Sequence, residues 1–124
     1  MPRFFYDSYA VLAFTSGHKS YKSYFEQEDG VLTKLNLLEV FYRSIGEYDL
    51  KAASEILENF SKYTVDFGRD DIAGSMKLRL DLKRKRLDVS YADALGYFIS
   101  QKLGLKFLTG DKIFEGLKGV EFVV

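Results

Sequence analysis

The chain lacks several residue types, and each absence excludes a class of chemistry. Its 124 residues contain no cysteine, which excludes disulfides, zinc sites built on thiolates and a cysteine nucleophile. The single histidine, His18, excludes a metal site rich in imidazole. A Ser-His-Asp triad would depend on this one residue, and its polar neighbours predict an exposed loop or helix start instead.

Proline, long apolar runs and net charge are also scarce. One proline leaves no proline-rich linker, and no apolar run approaches the roughly 20 residues that span a bilayer. Asp7 interrupts the N-terminus before a signal-peptide core can form, so a cytoplasmic location without membrane association is expected. The 18 basic and 18 acidic residues cancel, which does not by itself favour a nucleic-acid partner. The length predicts one domain over residues 1–124.

Hydrophobic periodicity predicts an alternation of strands and helices. Strands are predicted at 3–7, 30–33, 63–67, 106–108 and 120–123. Helices are predicted directly after Asp7 and at 19–28, 36–46, 49–61, 69–86 and 91–103. This order predicts an α/β/α sandwich with a central, mainly parallel sheet of four to five strands.

Finer features of the helices follow from the same pattern. The helices at 36–46 and 49–61 are predicted to form a hairpin that turns near Gly46, and Gly104 is predicted to end the helix at 91–103. The residues of the helix at 69–86 that are predicted to face inward are Ile72, Met76, Leu78 and Leu82.

Four carboxylates stand at strand ends and in apolar helices. Asp7 and Asp111 each follow a predicted strand, and the carboxyl ends of parallel strands meet at one edge of a sheet. Asp93 lies at the head of a predicted helix, and Glu39 lies in an apolar helical run. Oxygen ligands without sulfur, and with little imidazole, favour Mg²⁺ or Mn²⁺.

Each acid also has a local explanation. The segments 90–93 and 36–39 fit a capping box, and Asp7 and Asp111 can cap the helix or turn that follows them. Against this, the acids in both segments are flanked by apolar residues, and burying a charge is costly unless it is paired or bound to metal. A divalent ion would also remove the repulsion between clustered carboxylates.

The ordered set of these segments resembles the PIN domain, the nuclease domain of VapC-type toxins in prokaryotic toxin–antitoxin pairs. The resemblance covers essentially the whole chain and implies a single PIN-like nuclease domain. The segments that carry it are Asp7-Ser8, Leu38-Glu39, 90–95, 108–114 and 120–123. Tyr9 is bulkier than the small polar residue that is common beside the first acid of the family.

The resemblance implies a magnesium-dependent endoribonuclease, the toxin of a toxin–antitoxin pair, that hydrolyses RNA phosphodiester bonds with a metal-activated water. The quartet that would bind Mg²⁺ or Mn²⁺ and support catalysis is Asp7, Glu39, Asp93 and Asp111. Ser8 and Thr109 would orient a carboxylate or a water molecule through their hydroxyl groups. Its implied partners are an RNA substrate and a protein antitoxin.

A basic run, Lys83, Arg84, Lys85 and Arg86, ends the predicted helix at 69–86. It either binds RNA phosphates or complements the helix dipole in solvent. The two interpretations differ in the salt dependence that they give to RNA binding.

The helix at 36–46 is apolar on more than one stripe, so one stripe can face the sheet while another needs a cover. Neighbouring helices of the same chain, a homodimer partner or an antitoxin peptide would supply this cover.

Two other functions fit a PIN-like chain: a nuclease for RNA processing without an antitoxin, and a catalytically silent module that binds RNA or protein. The complete quartet argues against the silent module. A phosphoryl-accepting receiver domain is set aside, because Asp7 is followed by Ser8 instead of a second acid and Asp66 lies within a predicted strand.

Overall fold

A four-stranded parallel sheet forms the centre of the molecule. The computed structural model describes residues 2–124, and the strands lie in the order β2-β1-β3-β4. The strands are β1 (Phe4–Tyr6), β2 (Gly30–Val31), β3 (Lys106–Thr109) and β4 (Val120–Phe122). All neighbouring pairs are parallel, which confirms the predicted α/β fold.

Helices separate successive strands, because parallel neighbours cannot be joined by a tight hairpin. Within residues 2–124 the α-helices are α1 (Ser8–Thr15), α2 (Lys19–Glu26), α3 (Lys34–Glu47), α4 (Leu50–Ser61), α5 (Arg69–Arg84) and α6 (Tyr91–Lys102). A short 3-10 helix, Lys112–Phe114, follows β3. None of these described helices combines the length and the apolar character needed to cross a membrane.

The side chains of β1 alternate between two covered faces of the sheet. Phe5 stacks on Phe107 of β3 and lies against Gly96 of α6. Tyr6 points to the opposite face, where its ring stacks on Phe25 of α2 with the ring centroids 4.2 Å apart. Helices therefore pack on both faces of the sheet, as the predicted sandwich requires.

The register between β1 and β3 brings their carboxyl ends level. Tyr6 pairs with Leu108, and the backbone N–H of Asp7 donates to the carbonyl oxygen of Leu108 at 3.1 Å. Asp7 and Thr109, the next residues on the two strands, therefore emerge side by side at one edge of the sheet.

The strand predicted at 63–67 is wrong. Thr64 forms only an isolated parallel bridge with Leu32, just beyond β2. The alternating apolar residues that predicted a strand serve the core instead, since the ring of Tyr63 packs edge-on against that of Tyr6 with the centroids 6.0 Å apart. The sheet thus has four strands and no fifth within residues 2–124.

The hairpin of α3 and α4 turns later than predicted. Helix α3 continues through Gly46, and the chain turns at Tyr48 and Asp49. The Asp49 carboxylate accepts the backbone N–H of Ala52 at 2.7 Å and so begins α4. An acidic N-cap, more than the glycine, determines where this turn falls.

Helix α5 differs from prediction in one inward position. Ile72 is 51% exposed, whereas Leu82 is buried. The neighbouring Asp71 is buried in its place and accepts a hydrogen bond from Lys102 of α6 at 2.7 Å. Gly104, at φ 71°, follows the end of α6 as predicted.

Gly96 allows α6 to lie close to the sheet. A Cβ at this position would meet Cε1 of Phe5 at 2.5 Å and Cε1 of Phe107 at 3.2 Å. Both rings are fully buried in the core, so neither can move away freely. Because α6 also carries Asp93, this contact sets the distance of that acid from β1.

We expect Gly96→Ala to lower the free energy of unfolding by about 1–3 kcal/mol, the usual cost of overpacking. The matched control is Gly46→Ala in α3, where an added Cβ has no atom within 4 Å. That substitution should raise the free energy of unfolding by up to about 1 kcal/mol, because alanine favours the helix. Urea unfolding of both variants measures this difference, and equal effects would contradict the close-packing explanation.

Candidate active site

A cavity of about 460 Å³ opens at the edge of the sheet where β1 and β3 end. All four predicted acids line it, although they come from the junction of β1 and α1, from α3, from α6 and from the turn after β3. The other lining residues are Ser8, Tyr9, Leu12, Ala13, Ser16, His18, Tyr42, Arg43 and Glu47. The structure therefore brings together acids that lie far apart in the sequence.

Asp7 is the most deeply buried of the four acids, with 2% of its surface exposed. It caps α1, and its Oδ1 accepts the backbone N–H of Ser8 at 2.8 Å. Its Oδ2 accepts the hydroxyl of Thr109 at 2.7 Å. Burial, followed by the charge of Asp93, raises the pKa of Asp7 well above its ordinary value despite these two donors.

Asp93 lies in the first turn of α6, within the capping box predicted from the sequence. Its backbone N–H donates to Ser90 Oγ at 3.0 Å, and its Oδ2 accepts the backbone N–H of Ser90 at 3.3 Å. Burial raises the pKa of Asp93, and the charge of Asp111 adds to the rise. Asp93 thus caps α6 and also lines the cavity.

Glu39 is half-buried in the second turn of α3 and accepts the hydroxyl of Ser8 at 2.7 Å. Burial is the main cause that raises the pKa of this carboxyl, and the charge of Asp93 acts in the same direction. The donor Ser8 and the nearby Arg43 oppose the rise. Glu39 therefore belongs electrostatically to the same group of acids.

Asp111 caps the 3-10 helix, as its local explanation predicts. Its Oδ1 accepts the backbone N–H of Ile113 at 3.1 Å. Its own backbone N–H donates to Thr109 Oγ1 at 3.1 Å. The Thr109 hydroxyl therefore accepts from a backbone amide while it donates to Asp7, and this fixes its direction.

A capping box beginning at Asn36 was one interpretation of Glu39, and it is wrong. Helix α3 begins at Lys34, with Thr33 as its N-cap, so Asn36 lies inside the first turn. The Asn36 side chain is fully buried, and its Nδ2 donates to Ser8 Oγ at 3.0 Å. The pattern of residues had suggested Asn36 as a cap, but it did not indicate this contact with Ser8.

The charges around the cavity are unbalanced. Five of the lining residues are acidic, whereas Arg43 is the one arginine or lysine among the lining residues that the structure describes. None of the ion pairs within residues 2–124 includes any of the four predicted acids. Carboxylates that share a cavity without a paired cation favour a bound cation.

The donor set fits a hard divalent cation that retains water molecules. Within the described part of the chain, no group of three acidic or histidine side chains is close enough to hold one ion directly. The charge of Asp93 raises the pKa of Asp7, which indicates that these two carboxylates lie near each other in the cavity. Mg²⁺ is usually bound through one or two carboxylates and several water molecules, so such a pair is sufficient.

The basic run Lys83, Arg84, Lys85 and Arg86 does not line the cavity. All four side chains are exposed, at the end of α5 and in the loop that leads to α6. Arg43, which was not among the predicted site residues, lies one helical turn after Glu39 and lines the cavity. Its position on the same face of α3 as Glu39 was the available signal.

Raised carboxyl pKa values make the acidic cluster a source of instability at neutral pH. A carboxyl group whose pKa is raised in the folded state keeps its proton at pH values where the same group in the unfolded chain has released it. The free energy of unfolding therefore falls as the pH rises above about 4. At pH values above the raised pKa, the free energy of unfolding has fallen by the full amount. This applies to the protein in the absence of divalent ions.

We therefore expect Asp93→Asn to raise the free energy of unfolding by about 1 kcal/mol at pH 7 and by nothing at pH 3. Thermal unfolding in a chelating buffer across this pH range measures the difference. Asp66→Asn, a substitution in an exposed loop residue, is the control and should show no pH-dependent gain. A gain for Asp93→Asn that is the same at both pH values would contradict the electrostatic cause.

Several solved structures share this architecture. A toxin–antitoxin complex from Klebsiella pneumoniae contains a chain that is 21% identical, with a TM-score of 0.71 and 94% of each chain covered. DNA-bound VapBC from Salmonella typhimurium is 17% identical, with a TM-score of 0.77, and the match covers 99% of this chain and 98% of that chain. A protein from Pyrobaculum aerophilum is 17% identical, with a TM-score of 0.74 and coverage of 98% and 90%.

No family model and no curated protein matches the sequence. At these identities the likeness is one of fold, and it extends over nearly the whole length of each matched chain. The sequence resemblance and the solved structures agree: the chain has the α/β fold of VapC-type PIN domains.

Proposed function

We propose that the protein is a divalent-metal-dependent endoribonuclease that acts as the toxin of a toxin–antitoxin pair. The observation that carries the proposal is the cavity that gathers Asp7, Glu39, Asp93 and Asp111 without a paired cation. The fold supports it, since the similar solved structures include toxin–antitoxin complexes.

Asp7 and Asp93 would hold the metal most directly, because Asp7 is the most deeply buried of the four acids and the charge of Asp93 raises its pKa. Glu39 would bind it directly or through water, and Asp111 would bind through water or complete a second site. Bound Mg²⁺ or Mn²⁺ would lower the pKa of a coordinated water molecule and stabilise the negative charge that develops on the phosphate.

The chain's own groups position these ligands. Thr109 holds the buried oxygen of Asp7, and Ser8 holds one oxygen of Glu39. Arg43, at the rim of the same cavity, is placed to attract an RNA phosphate toward the acids. His18 is the one histidine among the described residues that line the cavity, and no lysine lines it. A general base other than a carboxylate would therefore have to be His18.

The decisive experiment compares the wild-type protein with Asp93→Asn in Mn²⁺ binding and in cleavage of single-stranded RNA. We expect both to fall by roughly a hundredfold, because the variant loses one charge of the ligand pair. The control is Asp70→Asn, an exposed acid in the first turn of α5 that does not line the cavity. It should retain both activities.

RNA cleavage that persists in a chelating buffer, or that Asp93→Asn leaves unchanged, would contradict the proposed metal-dependent nuclease. Mn²⁺ binding without cleavage would favour the silent binding module. A small DNA-binding antitoxin encoded immediately upstream would distinguish the toxin from an RNA-processing nuclease of the same fold.

An apolar surface on α3 and α4 supports a protein partner. Leu38 is 67% exposed and Tyr42 is 77% exposed, and Leu50 at the start of α4 is exposed as well. A second cavity of about 430 Å³ lies beside them and is lined by Lys34, Leu37, Leu38, Phe41 and Leu57. We propose that an antitoxin chain or a second copy of the protein covers this surface.

We expect light scattering to show either a dimer of the wild-type protein or a complex that forms only when its antitoxin is added. Leu38→Lys should abolish this association, because it places a charge in the apolar surface. The control is Leu80→Lys, a similarly exposed leucine on α5. A monomer that binds no antitoxin, or equal effects of the two substitutions, would contradict the proposed partner surface.

A further inference from the structure

A chain of buried hydrogen bonds leads from the start of α3 to the acidic cavity. The backbone N–H and the hydroxyl of Thr33 both donate to Asn36 Oδ1 at 3.0 Å. Asn36 Nδ2 then donates to Ser8 Oγ at 3.0 Å, and the Ser8 hydroxyl donates to Glu39 Oε1 at 2.7 Å. Thr33, Asn36 and Ser8 are all buried.

The chemistry of the first link fixes the direction of every later one. A backbone N–H can only donate, so the Asn36 oxygen must face Thr33 and the Asn36 NH₂ group must face Ser8. Because Ser8 Oγ receives this N–H, its own proton is free to point at Glu39. The orientation of four groups thus follows from one main-chain amide, and no alternative arrangement satisfies all of them.

We propose that Asn36 is a positioning residue that acts through Ser8 to hold Glu39 against the acidic cavity. Asn36 is fully buried and does not line the cavity. Among the described residues its side chain hydrogen-bonds to Thr33 and Ser8. Its effect on Glu39 depends wholly on the Ser8 hydroxyl. This role rests on the proposed function in one respect: Glu39, once positioned, would help to bind the metal.

The test is a double-mutant cycle of Asn36→Leu and Ser8→Ala, read from the carboxyl ¹³C signal of Glu39 in the metal-free protein at fixed pH. Ser8→Ala removes the hydroxyl that donates to Glu39, and Asn36→Leu removes the N–H that orients this hydroxyl. Each substitution should therefore shift the Glu39 signal. Because Asn36 acts through Ser8, the double variant should match Ser8→Ala alone. Asn36→Ala replaces Asn36→Leu if the larger side chain prevents folding.

The matched control is Thr33→Val. It removes one of the two donors to Asn36 Oδ1, but the Thr33 backbone N–H remains and still orients the amide. This variant should be less stable in thermal unfolding while its Glu39 signal stays at the wild-type position. A merely structural role of Asn36 would instead make Thr33→Val and Asn36→Leu alike.

Mn²⁺ affinity gives the second readout. We expect about a tenfold loss in Ser8→Ala, in Asn36→Leu and in the double variant, as is typical when a group that orients a ligand is removed. An unchanged Glu39 signal in the Asn36 variant, or shifts that add in the double variant, would overturn the proposal. Absence of Mn²⁺ binding by the wild-type protein would refute the proposed nuclease, while the Glu39 signal would still decide the role of Asn36.

Discussion

The hydrogen bond from Thr109 to Asp7 is the contact on which the rest of the site depends. It joins the ends of the two central strands across a separation of 102 residues and holds a carboxylate that is almost wholly removed from water. The strands must be parallel and in register for the two side chains to meet. Any slip of β3 against β1 would therefore separate the threonine from the acid and disperse the cavity.

Two hydroxyl groups in the site are oriented in the same way. Thr109 accepts a backbone N–H from Asp111 and donates to Asp7, while Ser8 accepts an amide N–H from Asn36 and donates to Glu39. Each hydroxyl is thus committed to donating toward a carboxylate before any ligand arrives. Preorganised donors of this kind need no rearrangement when charge changes nearby.

The sequence predicted the α/β fold, and it predicted that the four acids would meet in one place. Apolar periodicity located every strand of the sheet, and the rule for parallel strands placed Asp7 and Asp111 on one edge. The turn between α3 and α4 was misplaced because the local N-cap Asp49 determines it. Two other failures concern side chains whose role is decided by distant contacts. The segment 63–67 alternates as a strand does, but the ring of Tyr63 packs on the core. Asn36 fits the pattern of a cap, but its side chain bonds to Ser8, 28 residues away.

The order of the strands along the chain has a consequence for biosynthesis. Strand β1 lies in the middle of the sheet, yet one of its two neighbours is β3, which begins only at Lys106 and is made long after β1. A nascent chain that stops before residue 106 contains Asp7, Glu39 and Asp93 but lacks the strand that aligns them. The acidic cavity is consequently incomplete until β3 has left the ribosome, so fragments released before that point carry the residues without the assembled site.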